Sequence, residues 1–175
     1  HPRLRFNAMT REQCGHLEEM FPGRFEFSVH RDYCDYLYSS EKLITLGGKK
    51  LHGKRNHINK FKALHPDFVY EPITRENLPE CYAMNEEWLR QNAGDAGIQQ
   101  EHTAVQRFFD HYFDLELQGA LIRVDGRVVA YTMGEPINER VFDTHLEKAF
   151  YDVQGAYAII NQQFAEHVCK DYELI

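Results

Sequence analysis

The sequence predicts an α+β protein with a mixed sheet, because strand-like and helix-like segments follow the order β-α-α-β-β-β-α-β from residue 68 onward. The clearest part is a hairpin at Asp125-Gly126, a dipeptide typical of tight turns, which lies between two apolar runs. A later segment, 156–168, carries apolar residues at a spacing of four and therefore predicts a helix. Together these three observations favour helices packed on a sheet.

Turn and capping signals define the elements of the first third. Thr10 is followed three residues later by Gln13, which predicts a capped helix. Pro22 and Gly23 end that helix, since neither residue continues one readily. The expected elements are a strand at 4–9, a helix at 10–20, strands at 25–29 and 33–38, and a short helix at 41–46 that stops at Gly47-Gly48.

The order of elements becomes clearer after residue 66. Thr74 and the three residues after it provide a helix cap, and a loop at 94–97 precedes a second helix with aromatic residues on one side. Gly155 opens the last helix. The expected strands lie at 68–72, 120–124, 127–133, 141–147 and 171–175.

Bulk properties favour one domain, with two small ones as the alternative. The chain has 175 residues, a net charge of −7 and 43% hydrophobic residues, which is enough to bury a core. Its four cysteines lie far apart, so reduced thiols in a cytoplasmic protein are expected. No apolar run is long enough to span a membrane. The first and last residues both look like cut ends of a longer protein.

Residues 49–62 carry six lysines or arginines and no acid, while the other residues hold 14 basic and 27 acidic side chains. An acidic protein that concentrates positive charge in one stretch is expected to present it to an anionic partner. Leu51, Ile58 and Phe61 recur with helical spacing, which predicts a helix docked by that face. The plainer alternative is a solvated charged face. The basic row on another face consists of Lys50, Lys54 and His57.

Three stretches carry a resemblance to a known family. They are DYLYSSEKLITLGGKKLHGKRNHINKF at 35–61, ALIRVDGRVVAYTMGEP at 120–136 and THLEKAFYDVQGAYAIINQQFAEH at 144–167. The chain resembles the bacterial DUF2156 family, named for the C-terminal part of phosphatidylglycerol lysyltransferase. The element order is also similar to the fold of the GCN5-related N-acetyltransferases (GNAT). Phe150-Tyr151 departs from the resemblance, because the family has a polar Asp-Thr pair there.

The resemblance implies two tandem GNAT-like halves. Residues 1–40 would be the C-terminal part of a first half, 41–66 a basic helical connector, and 67–175 most of a second half that ends early. The basic helix also resembles a segment of the Fem-type peptidyltransferases, which take amino acids from aminoacyl-tRNA. The implied function is therefore acyl or aminoacyl transfer.

Acyl transfer to an amine requires an oriented electrophile, donors for the developing oxyanion and a base for the amine proton. In the fold that the resemblance implies, the strand before the phosphate loop supplies a backbone amide to the acyl carbonyl. The expected catalytic residues are His145 and Glu147, which are two apart and so share one face of a strand. The alternative is a satisfied, half-buried pair. Lys148 and Ala149 are the expected backbone donors.

The loop before the last helix occupies the place of a phosphate cradle. It has one glycine and no basic residue, and Asp152 would repel a pyrophosphate, which weakens an acyl-coenzyme A donor. A glycine before a helix is also ordinary turn chemistry. Arg55 can hold a phosphate with two hydrogen bonds, and Asn56 instead suits the capping of a neighbouring loop. The expected donor-binding residues are Lys49, Lys50, Lys54, Arg55, Lys60, Gln154, Gly155 and Ala156.

Glu135 is the expected carboxylate for an acceptor amine, with a solvated turn residue as the alternative. The ten histidines are scattered, so we expect no metal and no permanently bound cofactor. The leading functional hypothesis is an aminoacyltransferase that uses aminoacyl-tRNA and a lipid or peptide acceptor. Transfer from acyl-coenzyme A is the second hypothesis, and a non-catalytic module that binds tRNA or an anionic surface is the third.

Overall fold

The computed structural model describes residues 4–31, 34–92 and 96–175, with side chains from residue 101 onward in the last range. The chain forms two compact units, which divide between Tyr36 and Leu37. The predicted connector, 41–66, therefore lies inside the second unit. The candidate site residues all belong to this second unit.

The first unit contains one helix, α1 (Arg11–Met20). Its capping box forms as expected: the Thr10 hydroxyl accepts from the Gln13 N–H at 3.2 Å, and the Gln13 side chain accepts from the Thr10 N–H at 2.8 Å. The strands expected at 4–9 and 25–29 are wrong, because these segments pair with no neighbouring strand within the described residues. Their alternation instead places Phe25 and Phe27 in one aromatic cluster, with ring centroids 6.5 Å apart.

The second unit opens with three short helical segments. Helix α2 (Ser40–Thr45) ends where Leu46 adopts a left-handed conformation. A 3₁₀ turn (Lys49–Leu51) then leads into α3 (His52–Leu64). Ile58 and Phe61 are buried and Leu51 packs against the core, so the predicted docking face of the basic helix is confirmed.

The predicted α+β class and the order of elements are confirmed through the last helix. The sheet is antiparallel, with the order β1 (Val69–Pro72), β2 (Gln118–Val124), β3 (Arg127–Asn138) and β4 (Val141–Ala149). Helices α4 (Leu78–Gln91) and α5 (Ala96–Asp110) connect β1 to β2, and α6 (Ala156–His167) follows β4. The mixed sheet is not confirmed: the four paired strands are antiparallel, because the segment after α6 joins β4 only through an isolated parallel bridge. The loop expected at 94–97 falls partly outside the described residues.

Side chains from β4 show which helices cover each face of the sheet. Lys148 meets Trp88 of α4 and Glu101 of α5, whereas its neighbour Glu147 meets Asn161 of α6. Since neighbouring strand residues point to opposite faces, α4 and α5 lie on one face and α6 on the other. Helix α6 in turn packs against α2 and α3, so the basic helix lies on the α6 side.

The end of the chain runs beside β4. Leu174 forms a parallel bridge to Val141 and an antiparallel bridge to Ser39, so the strand expected at 171–175 is reduced to isolated bridges. Tyr38 also pairs with Ile175 through two backbone hydrogen bonds of 2.8 and 2.9 Å. The rest of the strand expected at 33–38 begins outside the described residues. No helix in the described part of the chain is both long and apolar enough to cross a bilayer.

Candidate functional site

The candidate site centres on an irregularity in β4. Met133 pairs with Leu146 and Gly134 pairs with Thr144, so His145 is an extra residue without a partner on β3. A glycine inside a strand often marks a bulge or a place where another backbone comes close. A Cβ atom at Gly134 would collide with the Asp143 carbonyl oxygen, which explains the glycine at this position. The bulge turns the His145 side chain toward helix α5.

Both ring nitrogens of His145 face carboxylates. Nε2 lies 2.9 Å from Glu135 Oε1, and Nδ1 lies 3.3 Å from Asp143 Oδ2. The ring stacks on Phe108 of α5 with centroids 5.0 Å apart. Nε2 has hydrogen-bond geometry to Glu135, whereas the Asp143 carboxylate lies near Nδ1 at ion-pair distance. The structure therefore brings together two predicted site residues, His145 and Glu135.

The prediction that His145 and Glu147 share one face of the strand is wrong. The bulged residue reverses the side-chain alternation, so Glu147 points toward α6 while His145 points toward α5. The two side chains cannot act on one proton. Glu147 and His145 are therefore separate candidates on opposite faces of the sheet.

Glu147 keeps some exposed surface, yet its carboxylate is enclosed by the protein. Burial raises its pKa, and a hydrogen bond from Asn161 and the charge of Lys54 act in the opposite direction. Asn161 Nδ2 donates to Glu147 Oε2 at 3.0 Å. A raised pKa makes a carboxylate a better proton acceptor than an ordinary glutamate. Lys54 links the basic helix to this group.

The predicted backbone donors follow on the same strand. The Lys148 ammonium is held on the α5 side, 2.9 Å from Glu101 Oε1 and 4.2 Å from the centre of the Trp88 ring. The Ala149 backbone hydrogen-bonds the Tyr157 phenol, whose pKa burial raises to about 12. The Ala149 backbone, one of the two expected oxyanion donors, therefore already has a hydrogen-bond partner in the Tyr157 phenol.

Arg55 is committed to the fold. Its Nη1 donates to the Leu46 carbonyl oxygen and, at 2.9 Å, to the Gly48 carbonyl oxygen. These carbonyls follow the end of α2, so Arg55 joins α3 to the turn before it. The expectation that Asn56 caps this loop is wrong, since its amide contacts His52 Nε2 at 3.2 Å. The loop-capping role belongs to Arg55.

The other predicted cations divide into two groups. Lys54 is half-buried, with its ammonium 5.7 Å from the centre of the Tyr38 ring. The remaining predicted lysines of the basic segment are exposed: Lys49, Lys50 and Lys60. An anionic partner can therefore reach these three without any rearrangement of the fold.

The loop before α6 borders a cavity of about 280 Å³. Gly155 has a φ of 90°, a region that favours glycine, and a Cβ there would lie 2.5 Å from the His57 carbonyl oxygen. The backbone of α3 thus packs directly on this glycine. His57 and the predicted residues Gln154, Gly155 and Ala156 line the cavity.

Several residues of the site have no signal in the sequence that singles them out. Asn161 is a polar residue on α6, a helix that the sequence predicts from the spacing of its apolar residues. It contacts Glu147 because α6 covers the face of the sheet to which Glu147 points. Glu101 and Trp88 hold Lys148 only because α4 and α5 cover that face. Among the described residues, no group of three or more His, Cys, Asp or Glu side chains could hold a metal ion.

The fold and the site define an α+β domain in which a basic helix packs on α6, on one face of an antiparallel sheet. Residues 3–175 match the family described as phosphatidylglycerol lysyltransferase, C-terminal. The chain belongs to this family, so the predicted membership of the DUF2156 family is confirmed.

Two solved structures share the fold of this chain. A conserved protein of unknown function from Bacteroides thetaiotaomicron is 39% identical, with a TM-score of 0.88 over 94% of this chain and 56% of its own. The C-terminal DUF2156 domain of a putative lysylphosphatidylglycerol synthetase from Agrobacterium fabrum is 14% identical, with a TM-score of 0.53 over 79% of this chain and 43% of its own. The second likeness concerns the fold alone.

One curated relative, from Mycoplasmoides gallisepticum, is 23% identical over 132 residues, which are 74% of this chain and 42% of the relative. Across these comparisons the chain spans about half the length of the proteins that it matches.

Proposed function

We propose that this chain is the catalytic part of an aminoacyltransferase, which moves an aminoacyl group from aminoacyl-tRNA to an amine or hydroxyl of a lipid or peptide. The family supports aminoacyl transfer to a lipid in general terms. We also propose that aminoacyl-tRNA is the donor, that the protein acts in the cytoplasm and that its fold is related to that of the GNAT enzymes.

One observation carries the proposal: the basic segment packs against α6, the helix whose Asn161 donates to the candidate proton acceptor, Glu147. Lys54 of α3 acts electrostatically on Glu147 of β4, and α3 packs against α6. The exposed lysines of the basic segment would hold the phosphates of a donor. The ester of that donor can then lie near β4, where the proton must be removed.

The chemistry assigns a definite role to Glu147. The acceptor nitrogen or oxygen attacks the ester carbonyl carbon, and the bond between this carbon and the ribose oxygen breaks. Glu147 takes the proton that the acceptor loses, and the ribose oxygen leaves as a hydroxyl after it gains a proton. Because its pKa is raised, the Glu147 carboxylate is a stronger base than an ordinary glutamate, which favours this exchange.

Two alternatives remain separate hypotheses. Transfer from acyl-coenzyme A is less favoured, because α3 covers Gly155 and the loop offers no basic side chain to a pyrophosphate. A non-catalytic module would use the same basic surface without turnover. It predicts tRNA binding by the full-length protein, with no transfer to any acceptor.

The test is filter binding of aminoacylated tRNA over a salt series. We expect log affinity to fall with log salt with a slope of several units, since each phosphate contact contributes about one unit. Lys50→Ala with Lys60→Ala should reduce this slope by about two units. Lys170→Ala, an exposed lysine outside the basic segment, is the matched control. Failure to bind tRNA at low salt would exclude the proposed donor.

A further inference from the structure

We infer that the cavity between α3 and the start of α6 binds a nucleobase, the terminal base of a polynucleotide donor. This inference rests on the proposed function and adds a subsite to it. The cavity is lined by His57 of α3, by Tyr157 of α6 and by four residues of the loop before α6: Tyr151, Val153, Gln154 and Gly155.

The lining suits a flat aromatic ligand. Tyr151 leaves 70% of its surface exposed, and its ring lies 5.6 Å from that of Tyr157 at an angle of 42°. Proteins that bind single-stranded nucleic acids place such rings where unstacked bases can stack on them. A volume of about 280 Å³ is close to the lower bound for small-ligand pockets, about 300 Å³. The cavity therefore matches a base better than a large cofactor.

The same lining does not suit a pyrophosphate. The helix backbone at His57 lies against Gly155, so an anion cannot approach the loop from this side. Asp152 is exposed next to Val153 of the lining and repels negative charge. A neutral base avoids both problems, because it needs a flat apolar surface and few hydrogen bonds.

A row of basic side chains leads to the cavity. The exposed Lys50 of the 3₁₀ turn and the half-buried Lys54 of α3 precede His57 in the chain, and His57 borders the cavity itself. Phosphates that follow this row would bring the end of a single strand to Tyr151. The arrangement thus combines charge for the backbone with a stacking surface for one base.

The experiment compares two short RNAs of equal charge. One is CpCpA, the sequence at the acceptor end of tRNA, and the other carries an abasic ribose in place of the terminal adenosine. Binding is measured at low salt by competition with a fluorescent oligonucleotide. Because stacking of one base on an aromatic side chain is worth a factor of about 5 to 150, CpCpA should bind the wild-type chain at least fivefold more tightly.

Three variants locate the effect. Tyr151→Ala should bind both RNAs equally, and Tyr151→Phe should keep the preference for CpCpA, since the phenyl ring still stacks. Lys60→Ala should weaken both RNAs by the same factor. Tyr151 is mostly exposed, so its replacements should fold.

Each outcome is decisive. Equal, salt-dependent binding of both RNAs to the wild-type chain would refute the nucleobase subsite and leave the proposed tRNA donor in place. A preference that survives Tyr151→Ala would also refute the subsite. Failure of both short RNAs to bind while intact tRNA binds would refute the subsite alone, and failure of all three would overturn both inferences. A preference lost in Tyr151→Ala and kept in Tyr151→Phe supports the subsite.

Discussion

Replacement of Arg55 by alanine separates a structural role from a binding role. In the structure its guanidinium donates to the carbonyl oxygens of Leu46 and Gly48 and so fixes the turn between α2 and α3. Removal leaves two carbonyl groups without this donor. The side chain is half-buried, so water can replace part of the interaction.

The expected loss of stability follows from these contacts. A hydrogen bond from a charged donor contributes about 1.5–3 kcal/mol, and the contact with Gly48 is exposed and therefore weaker. We expect Arg55→Ala to lower the free energy of unfolding by about 2 kcal/mol. At about 2–4 °C per kcal/mol for a chain of this size, the Tm should fall by about 4–8 °C.

Thermal and urea unfolding, followed by circular dichroism, measure this change. The matched control is Lys60→Ala, which removes an exposed cation from the same helix and should alter stability by less than about 0.5 kcal/mol. Lys60→Ala should weaken tRNA binding instead. A structural role for Arg55 would be refuted if Arg55→Ala left the unfolding midpoint unchanged and weakened tRNA binding as strongly as Lys60→Ala. Arg55 would then be a phosphate ligand.

Two further changes test the site. In the wild-type protein the pKa of Glu147 is higher in the folded state than in the unfolded state, so the free energy of unfolding falls as pH rises between the two values. Glu147→Gln should therefore be more stable than wild type at pH 7. The difference in urea midpoint should vanish below about pH 4, the unfolded pKa, where Glu147 is protonated in both states. A constant difference at every pH would contradict a buried, destabilised carboxylate. Gly155→Ala should cost at least about 2 kcal/mol by urea unfolding, because the new Cβ meets the His57 carbonyl oxygen at a positive φ. Near-wild-type stability would show that α3 does not pack tightly on this loop, and Gly53→Ala, with nothing within 4 Å of its Cβ, is the control.

Local signals predict much of the fold, because they act over a few residues. The capping box at Thr10, the turn at Asp125-Gly126 and the apolar face of α3 depend only on neighbours in the chain, and each forms as expected. Strands are harder, since an extended segment becomes a strand only when another segment pairs with it. The alternation at 25–29 is real, yet it produces an aromatic cluster and no ladder.

The geometry of the site depends on contacts that span the chain. The face to which Glu147 points is decided by the bulge at His145, and the bulge depends on the close approach of Gly134 on the neighbouring strand. A period of two cannot reveal the inserted residue, so the predicted pairing of His145 with Glu147 fails.

The sequence of the basic segment shows how many cations it carries, but it does not show which of them are exposed to a partner. Six cations occur within 14 residues, but the fold uses Arg55 for two carbonyl oxygens and turns Lys54 toward Tyr38 and Glu147. The outer lysines remain available to a partner. Replacing the inner cations tests the fold and the charge on Glu147, whereas replacing the outer ones tests recognition. A double variant at Lys54 and Arg55 would mix the two effects, so the exposed lysines are the sharper test of the donor.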